Sequence, residues 1–313
     1  MFRDYARREA ELLVERHDLR GKKVIEIGCG DGQFLSLLCQ LGDNKGIGYD
    51  PSFAPDDHAP PLHDGVRVEV RYYTNDDARE DADLILCRQV LEHIPNPASF
   101  MATLRQGLGD RTGTMLSFEV PNAQHLIRDL SVWDLIYEHC TCFTKPALVR
   151  VFELAGFTVH DVREGFGGLN LTIEARPRAS GAEGPATDLA AEIAEVGEQI
   201  DAFADRAVSK VDRLSARLKD WRAAGTRVAL WGAGARSTMC LNMVEGADAV
   251  GAVVDVNPRK HGFHMPGVGH EIQHPSALRD FAPEIVLLMN PVYRDEVGGS
   301  LAELGVEGEL VIP

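Results

Sequence analysis

Glu26-Ile27-Gly28-Cys29-Gly30-Asp31-Gly32 sets three glycines on alternate positions at the end of the β-rich run Val24-Ile25-Glu26-Ile27. Without a Cβ at these positions the backbone passes close to a ligand, and only a thin ligand edge fits. A dinucleotide turn reads Gly-x-Gly-x-x-Gly and presents a helix N-terminus to a pyrophosphate. Here the spacing is Gly-x-Gly-x-Gly and an acid lies inside the strand, which repels a pyrophosphate and suits a cationic group.

Outward from this stretch, residues 33–41 read as a helix and Gly46-Ile47-Gly48-Tyr49 as a second strand closing on Asp50, completing a βαβ unit. Asp50 stands 24 residues after Glu26, at the strand tip from which a carboxylate reaches a ribose diol. An acid for an ammonium and an acid for a diol together specify an adenosyl amino acid. The expected cofactor-binding residues here are Glu26, Gly28, Cys29, Gly30, Gly32, Asp50 and Pro51.

Before the motif, residues 2–17 read as a leading helix stopped by Gly21. After it come strands at 66–72, 84–87 and 114–120, then 157–162 and 169–175 flanking the turn Gly165-Phe166-Gly167-Gly168. The pattern predicts a mostly parallel α/β sheet of seven strands that ends in an antiparallel hairpin. Residues 177–188 are rich in Pro, Ala, Ser and Gly and read as a linker. Beyond them, from Leu189 to Trp221, apolar residues recur at alternating three- and four-residue steps, one stripe of a long helix. The stripe either docks on the chain's own second domain or, as its heptad-like spacing allows, pairs with another subunit in a homodimer. The α/β pattern then restarts with strands at 227–231, 250–254, 284–289 and 309–312. The expected domains are 1–176, the linker 177–188, and 189–313, a long helix with a smaller Rossmann-like unit.

Lys and Arg number 32 against 48 Asp and Glu, a net charge of −16 that repels a phosphate backbone and argues against nucleic-acid partners. No apolar run is long enough to cross a bilayer and the first residues lack a signal peptide's apolar core, so no membrane partner and a cytoplasmic location are expected. The six cysteines form no Cys-x-x-Cys pair and read as free thiols. Cys140 and Cys142 follow His139, but a structural zinc needs four ligands at recognisable spacings, and no metal is expected.

The stretch from Gly21 to Ala175, with Leu91-Glu92-His93-Ile94-Pro95 after the fourth strand, resembles the class I methyltransferases, whose cofactor is S-adenosylmethionine and whose product is S-adenosylhomocysteine. The resemblance implies that Arg88-Gln89 at the strand-four tip borders the methionine part and that residues 74–78 meet the adenine. Trp133 to Phe143, which holds Tyr137-Glu138-His139, looks like the Glu-His-x-x-x-Phe stretch of the sugar C-methyltransferases. So do Ala229-Leu230-Trp231-Gly232-Ala233-Gly234-Ala235-Arg236 and Val254 to Gly262, which resemble that family's C-terminal domain. Members usually begin with a cysteine-rich zinc module, whereas the sequence here opens on the helix leading into the methyltransferase stretch, and Tyr137 adjoins Glu138 without an intervening residue.

The resemblance implies transfer of a methyl group to a carbon beside the ketone of a nucleotide-linked deoxysugar or related natural-product precursor. A base takes the acidic proton and a nearby donor steadies the enolate oxygen. His139 is the expected base, Glu138 its orienting acid, and His93 and Tyr137 the donors. Tyr5, Glu119, Asn122, Gly234 and Arg236 are expected to meet the small-molecule substrate. The alternatives are O-methylation of a small-molecule hydroxyl, an NAD-binding oxidoreductase module at Gly232-x-Gly234-x-x-Ser237, and a scaffold without turnover.

Overall fold

A computed structural model describes residues 2–54, 60–182 and 188–313. They form two compact units: residues 1–125 with 139–197, and residues 126–138 with 198–313. The predicted cut at 177–188 assigned 126–138 and the start of the long helix differently. The physical reason for the first is Trp133, 2 % exposed, which with Val132 is buried in the second unit's core among Leu214, Leu230 and Leu241. Residues 183–187 of the expected linker lie outside the described residues.

The first unit runs α1 (Phe2–His17), β1 (Lys23–Ile27), α2 (Gln33–Gly42), β2 (Lys45–Tyr49), β3 (Val66–Glu69), β4 (Leu84–Arg88), α3 (Pro97–Leu108), β5 (Met115–Pro121) and α4 (Ala123–Arg128), whose end passes into the second unit. It resumes with α5 (Lys145–Leu154), β6 (Phe157–Gly165) and β7 (Asn170–Pro177). The strands lie in the order β3-β2-β1-β4-β5-β7-β6, with β7 antiparallel to both neighbours, which is the predicted mostly parallel sheet closed by a hairpin. Because side chains alternate along a strand, each strand feeds two cores. Ile25, Ile27, Ile85, Cys87, Leu116 and Phe118 join the core on one face, while Val24, Leu84, Leu86 and Met115 pack with α1 and α2 on the other. β3 is shorter than the sequence suggests: Arg71 N donates back to Glu69 O, and the Arg71 guanidinium swings onto Asp77 at 2.7 Å through both nitrogens.

α1 is tied to the hairpin by charge. Glu174 of β7, its side chain 1 % exposed, receives Arg163 at 2.6 Å, His17 at 3.1 Å and Arg16 at 3.4 Å, and Arg163 also holds Glu9 at 2.7 Å. Burial pushes the Glu174 carboxyl up, but the His17 hydrogen bond and the Arg163 charge overcome it and hold it below its usual range. Its stabilising contribution is therefore present above the ordinary carboxylate range and is lost as pH falls through the depressed value. Glu174→Ala leaves Arg163 under-compensated, and urea denaturation is expected to register a loss of about 3–5 kcal/mol.

The second unit continues α6 (Ala190–Ala224), a helix shared between the two units, into β8 (Val228–Trp231), α7 (Ala235–Met243), β9 (Val250–Val254), β10 (Ile272–Gln273), α8 (Leu278–Phe281), β11 (Ile285–Leu288), α9 (Arg294–Leu304) and β12 (Glu309–Val311). Its five strands are parallel in the order β10-β9-β8-β11-β12. β10 and α9 carry no clear periodic signal and escape the sequence reading. On α6, Leu214 and Leu218 are buried, whereas Ile193 and Ile200 of the same stripe are exposed. No described helix is long and apolar enough to cross a membrane.

Candidate active site

The order β3-β2-β1-β4 sends the connections after β1 and β4 to opposite sides, which opens a crevice at the C-terminal ends of these two strands. Glu26, on β1, is 2 % exposed and its Oε2 has no hydrogen-bond partner. Burial pushes its carboxyl up to about 8, and the Arg88 charge offsets this in part. An orphaned acid is costly unless a ligand's cationic group completes it.

Gly28 has φ +69, and a Cβ there would stand 2.2 Å from Val90 Cγ2, so only glycine fits. Gly30 has φ +55 with nothing within 4 Å of where its Cβ would be, leaving open space beside the backbone. Its amide donates to Asp50 Oδ2 at 2.8 Å, and Ser52 donates to Asp50 Oδ1 through N at 2.8 Å and Oγ at 2.6 Å. Asp50 thus stands at the β2 tip with neutral partners, beside the exposed Pro51. Gly32, also left-handed, leads into α2. Cys29 is buried, and burial next to Glu26 and Asp50 raises its thiol to about 12, which makes it a neutral wall.

At the β4 tip Gln89 takes φ +54, a strained conformation for a non-glycine. Glu119 of β5, 3 % exposed, accepts from Arg88 at 3.1 Å, from Gln89 at 3.3 Å and from the Tyr5 hydroxyl. Arg88 lies over the Phe34 ring at 3.8 Å. Burial first, then the Glu119 charge, raises the Tyr5 phenol far above its usual range, and its ring meets Phe166 at 5.1 Å. Tyr5, Arg88, Gln89 and Glu119 are therefore one assembly at the crevice mouth. Asn122 stands apart in role: its Nδ2 donates to Gly168 O at 2.9 Å and its Oδ1 accepts from Gln124 N at 3.1 Å, so it fastens the chain after β5.

After β4 a 3-10 turn, Leu91–His93, carries two functional groups. The His93 and His139 rings meet edge to face at 4.9 Å. Glu92, for which no role was expected from the sequence, is 1 % exposed, and neither of its carboxylate oxygens has a hydrogen-bond partner. One oxygen of Glu92 and one ring nitrogen from each of His93 and His139 lie within 4.8 Å of one another. Cys140 N and Thr141 N donate to the Glu92 carbonyl at 2.7 and 3.2 Å, which fastens the His139 segment to the turn. Burial raises the Glu92 carboxyl to about 7. Glu138 is exposed at φ +93, and Tyr137 is 82 % exposed. Both belong to the second unit, where Tyr137 N lies 3.4 Å from Met239 Sδ. The only signal for Glu92 in the sequence is its place between Leu91 and His93.

The second unit holds a cavity of about 430 Å³ lined by Gly232, Gly234, Arg236, Ser237, Lys260 and Tyr293 among others. Arg236 donates through Nε to Asp134, and its buried Nη1 has no hydrogen-bond partner. Asp255, the acid at the β9 tip, accepts from Ala233 N at 2.7 Å, Asn257 N at 2.8 Å and the Lys260 ammonium at 3.0 Å. Lys260 neutralises the carboxylate that an NAD ribose would need, whereas Asp50 carries no such clamp in its hydrogen bonds to Gly30 and Ser52.

Residues 1–162 match the model of a methyltransferase domain, and residues 185–313 match that of the C-methyltransferase C-terminal domain. The chain belongs to the methyltransferase-domain family. Ubiquinone biosynthesis O-methyltransferase of Pseudomonas aeruginosa (strain UCBPP-PA14) is 40 % identical over 93 residues, 28 % of this chain and 40 % of that protein. The corresponding protein of Pseudomonas fluorescens (strain SBW25) is 37 % identical over the same share. The chain thus spans well under half the length of the curated relatives it matches. Among solved structures, a riboflavin-analogue N,N-dimethyltransferase from Streptomyces davawensis aligns with TM-score 0.46 and 22 % identity, over 56 % of this chain and 54 % of that one. The 1,6-didemethyltoxoflavin-N1-methyltransferase of Burkholderia thailandensis aligns with TM-score 0.42 and 19 % identity, over 55 % and 78 %.

Proposed function

We propose that the protein is an S-adenosylmethionine-dependent methyltransferase that methylates a carbon beside the ketone of a nucleotide-linked deoxysugar. The observation that carries the choice of carbon is the match of residues 185–313 to the C-methyltransferase C-terminal domain. The donor fits the first unit's crevice: the orphaned Glu26 carboxylate takes its ammonium, the open edge of Gly30 takes its flat nucleoside, and Asp50 takes the ribose diol. Once bound, S-adenosylmethionine supplies an electrophilic methyl group. Arg88 and Gln89, fixed by Glu119, wall the methionine end.

His139 removes the acidic proton of the substrate carbon, and His93, whose ring meets it at 4.9 Å, donates to the enolate oxygen. Glu92, buried with one oxygen within 4.8 Å of a ring nitrogen of each imidazole, acts on both rings through its charge, and Glu138, next to His139 in the chain, remains the orienting acid. Tyr5 and Glu119 border the substrate at the crevice mouth. Within the second unit, the N-terminus of α7 at Gly234 and the unpartnered Arg236 Nη1 line a cavity that suits an anionic group.

Incubation with a panel of nucleotide-linked 4-ketosugars in deuterated water, read by mass spectrometry, tests this. The expected result is one added methyl on carbon, with deuterium exchange beside the ketone when the methyl donor is omitted. The likeness to the Pseudomonas O-methyltransferases favours oxygen as the second reading. Products methylated only on hydroxyls establish that reading instead.

A further inference from the structure

We propose that Glu92, His93 and His139 form a binding site for one divalent transition-metal ion. The three donors come from two places in the first unit's chain, the 3-10 turn after β4 and the segment before α5, and the hydrogen bonds from Cys140 and Thr141 to the Glu92 carbonyl fasten them together. Their ligand atoms lie within 4.8 Å of one another. Ligands at about 2.0–2.2 Å from a metal stand roughly 3–3.5 Å apart, so a small rotation of the exposed His93 ring closes the set. Glu92 gives the independent observation: a carboxylate 1 % exposed, with both oxygens lacking hydrogen-bond partners, aimed at two imidazoles. A buried carboxylate demands a counter-charge, and an ion between these rings supplies it.

Two imidazoles and one carboxylate select zinc, cobalt, iron or manganese over calcium and magnesium, which prefer oxygen donors throughout. Three protein ligands also leave open positions for water or a substrate oxygen. This revises the sequence expectation of no metal, which considered Cys140 and Cys142. Both are exposed and outside any disulfide, and the Cys140 sulfur lies 3.4 Å from the His93 carbonyl oxygen. An ion on His139 occupies the lone pair that proton transfer uses, so the metal-loaded and base-active forms exclude one another. That consequence rests on His139 as base, whereas the site itself does not.

The test is titration of cobalt(II) into the full chain after stripping with a chelator, followed by ligand-field absorption. One ion per chain is expected, with affinity lowered by about 100-fold or more in Glu92→Gln and in His139→Asn, beyond the 10–100-fold typical of losing an outer-shell partner. Circular dichroism and S-adenosylmethionine binding check that the variants fold. Absence of the cobalt band in the folded protein, or an affinity in both variants unchanged from that of the native chain, overturns the site. Zinc is expected to suppress turnover reversibly. Activation by zinc keeps the site and overturns its exclusion of the base.

Discussion

His139→Ala is expected to lower kcat by about 10²–10⁴-fold, the usual contribution of a positioned general base, while the dissociation constant for S-adenosylmethionine stays unchanged. The split follows from placement. The cofactor groups Glu26, Gly30 and Asp50 cluster at the tips of β1 and β2, and His139 sits instead against the turn after β4, its ring on that of His93. Added imidazole is expected to restore part of the rate, and deuterium exchange beside the substrate ketone should disappear with the base. Exchange that survives His139→Ala assigns proton removal to another group. Glu92→Gln is a gentler perturbation of turnover, because the amide keeps the shape of the acid and removes its charge beside the two imidazoles.

Glu26→Gln is expected to weaken S-adenosylmethionine by roughly 10–100-fold, since a hydrogen bond between charged groups contributes about 1.5–3 kcal/mol and each 1.4 kcal/mol is a factor of about ten. Its pH dependence carries more information. In the free protein burial holds this carboxyl at about 8, so near neutral pH it is mostly protonated. Pairing with the ligand's ammonium favours the ionised form, so binding releases a proton. Below about pH 7 the affinity of the native protein should therefore rise by up to tenfold per pH unit. Calorimetry in two buffers of different ionisation enthalpy reads the released proton directly. In Glu26→Gln the release vanishes. A native protein that releases no proton on binding removes Glu26 from the ammonium site.

Much of this arrangement was legible in the residues because it is local. The glycines at 28, 30 and 32 and the acids at 26 and 50 are spaced by the geometry of one βαβ unit, so their roles follow from position alone. The hairpin of β6 and β7 announced itself through Gly165-Phe166-Gly167-Gly168. What the sequence hides is non-local. Trp133 reads as part of a polar, chemistry-rich segment, yet it is a core residue of the second unit. Asn122 looks like a crevice residue because it follows β5, but both ends of its amide are spent on backbone. Glu92 and His139 lie 47 positions apart, and the hydrogen bonds from Cys140 N and Thr141 N to the Glu92 carbonyl bring them together. Adjacency in sequence had favoured Glu138 as the partner of His139. The fold adds Glu92, a buried carboxylate with one oxygen within 4.8 Å of a ring nitrogen of His139, as a second acid beside that ring.

The most direct measurement is a crystal structure of the full chain with S-adenosylhomocysteine. The ligand's amino group is predicted within hydrogen-bond reach of the Glu26 carboxylate, its nucleoside edge against Gly30 and its ribose diol on Asp50. A crevice left empty beside Gly30 at saturating ligand, or the nucleoside seated elsewhere, would contradict the account.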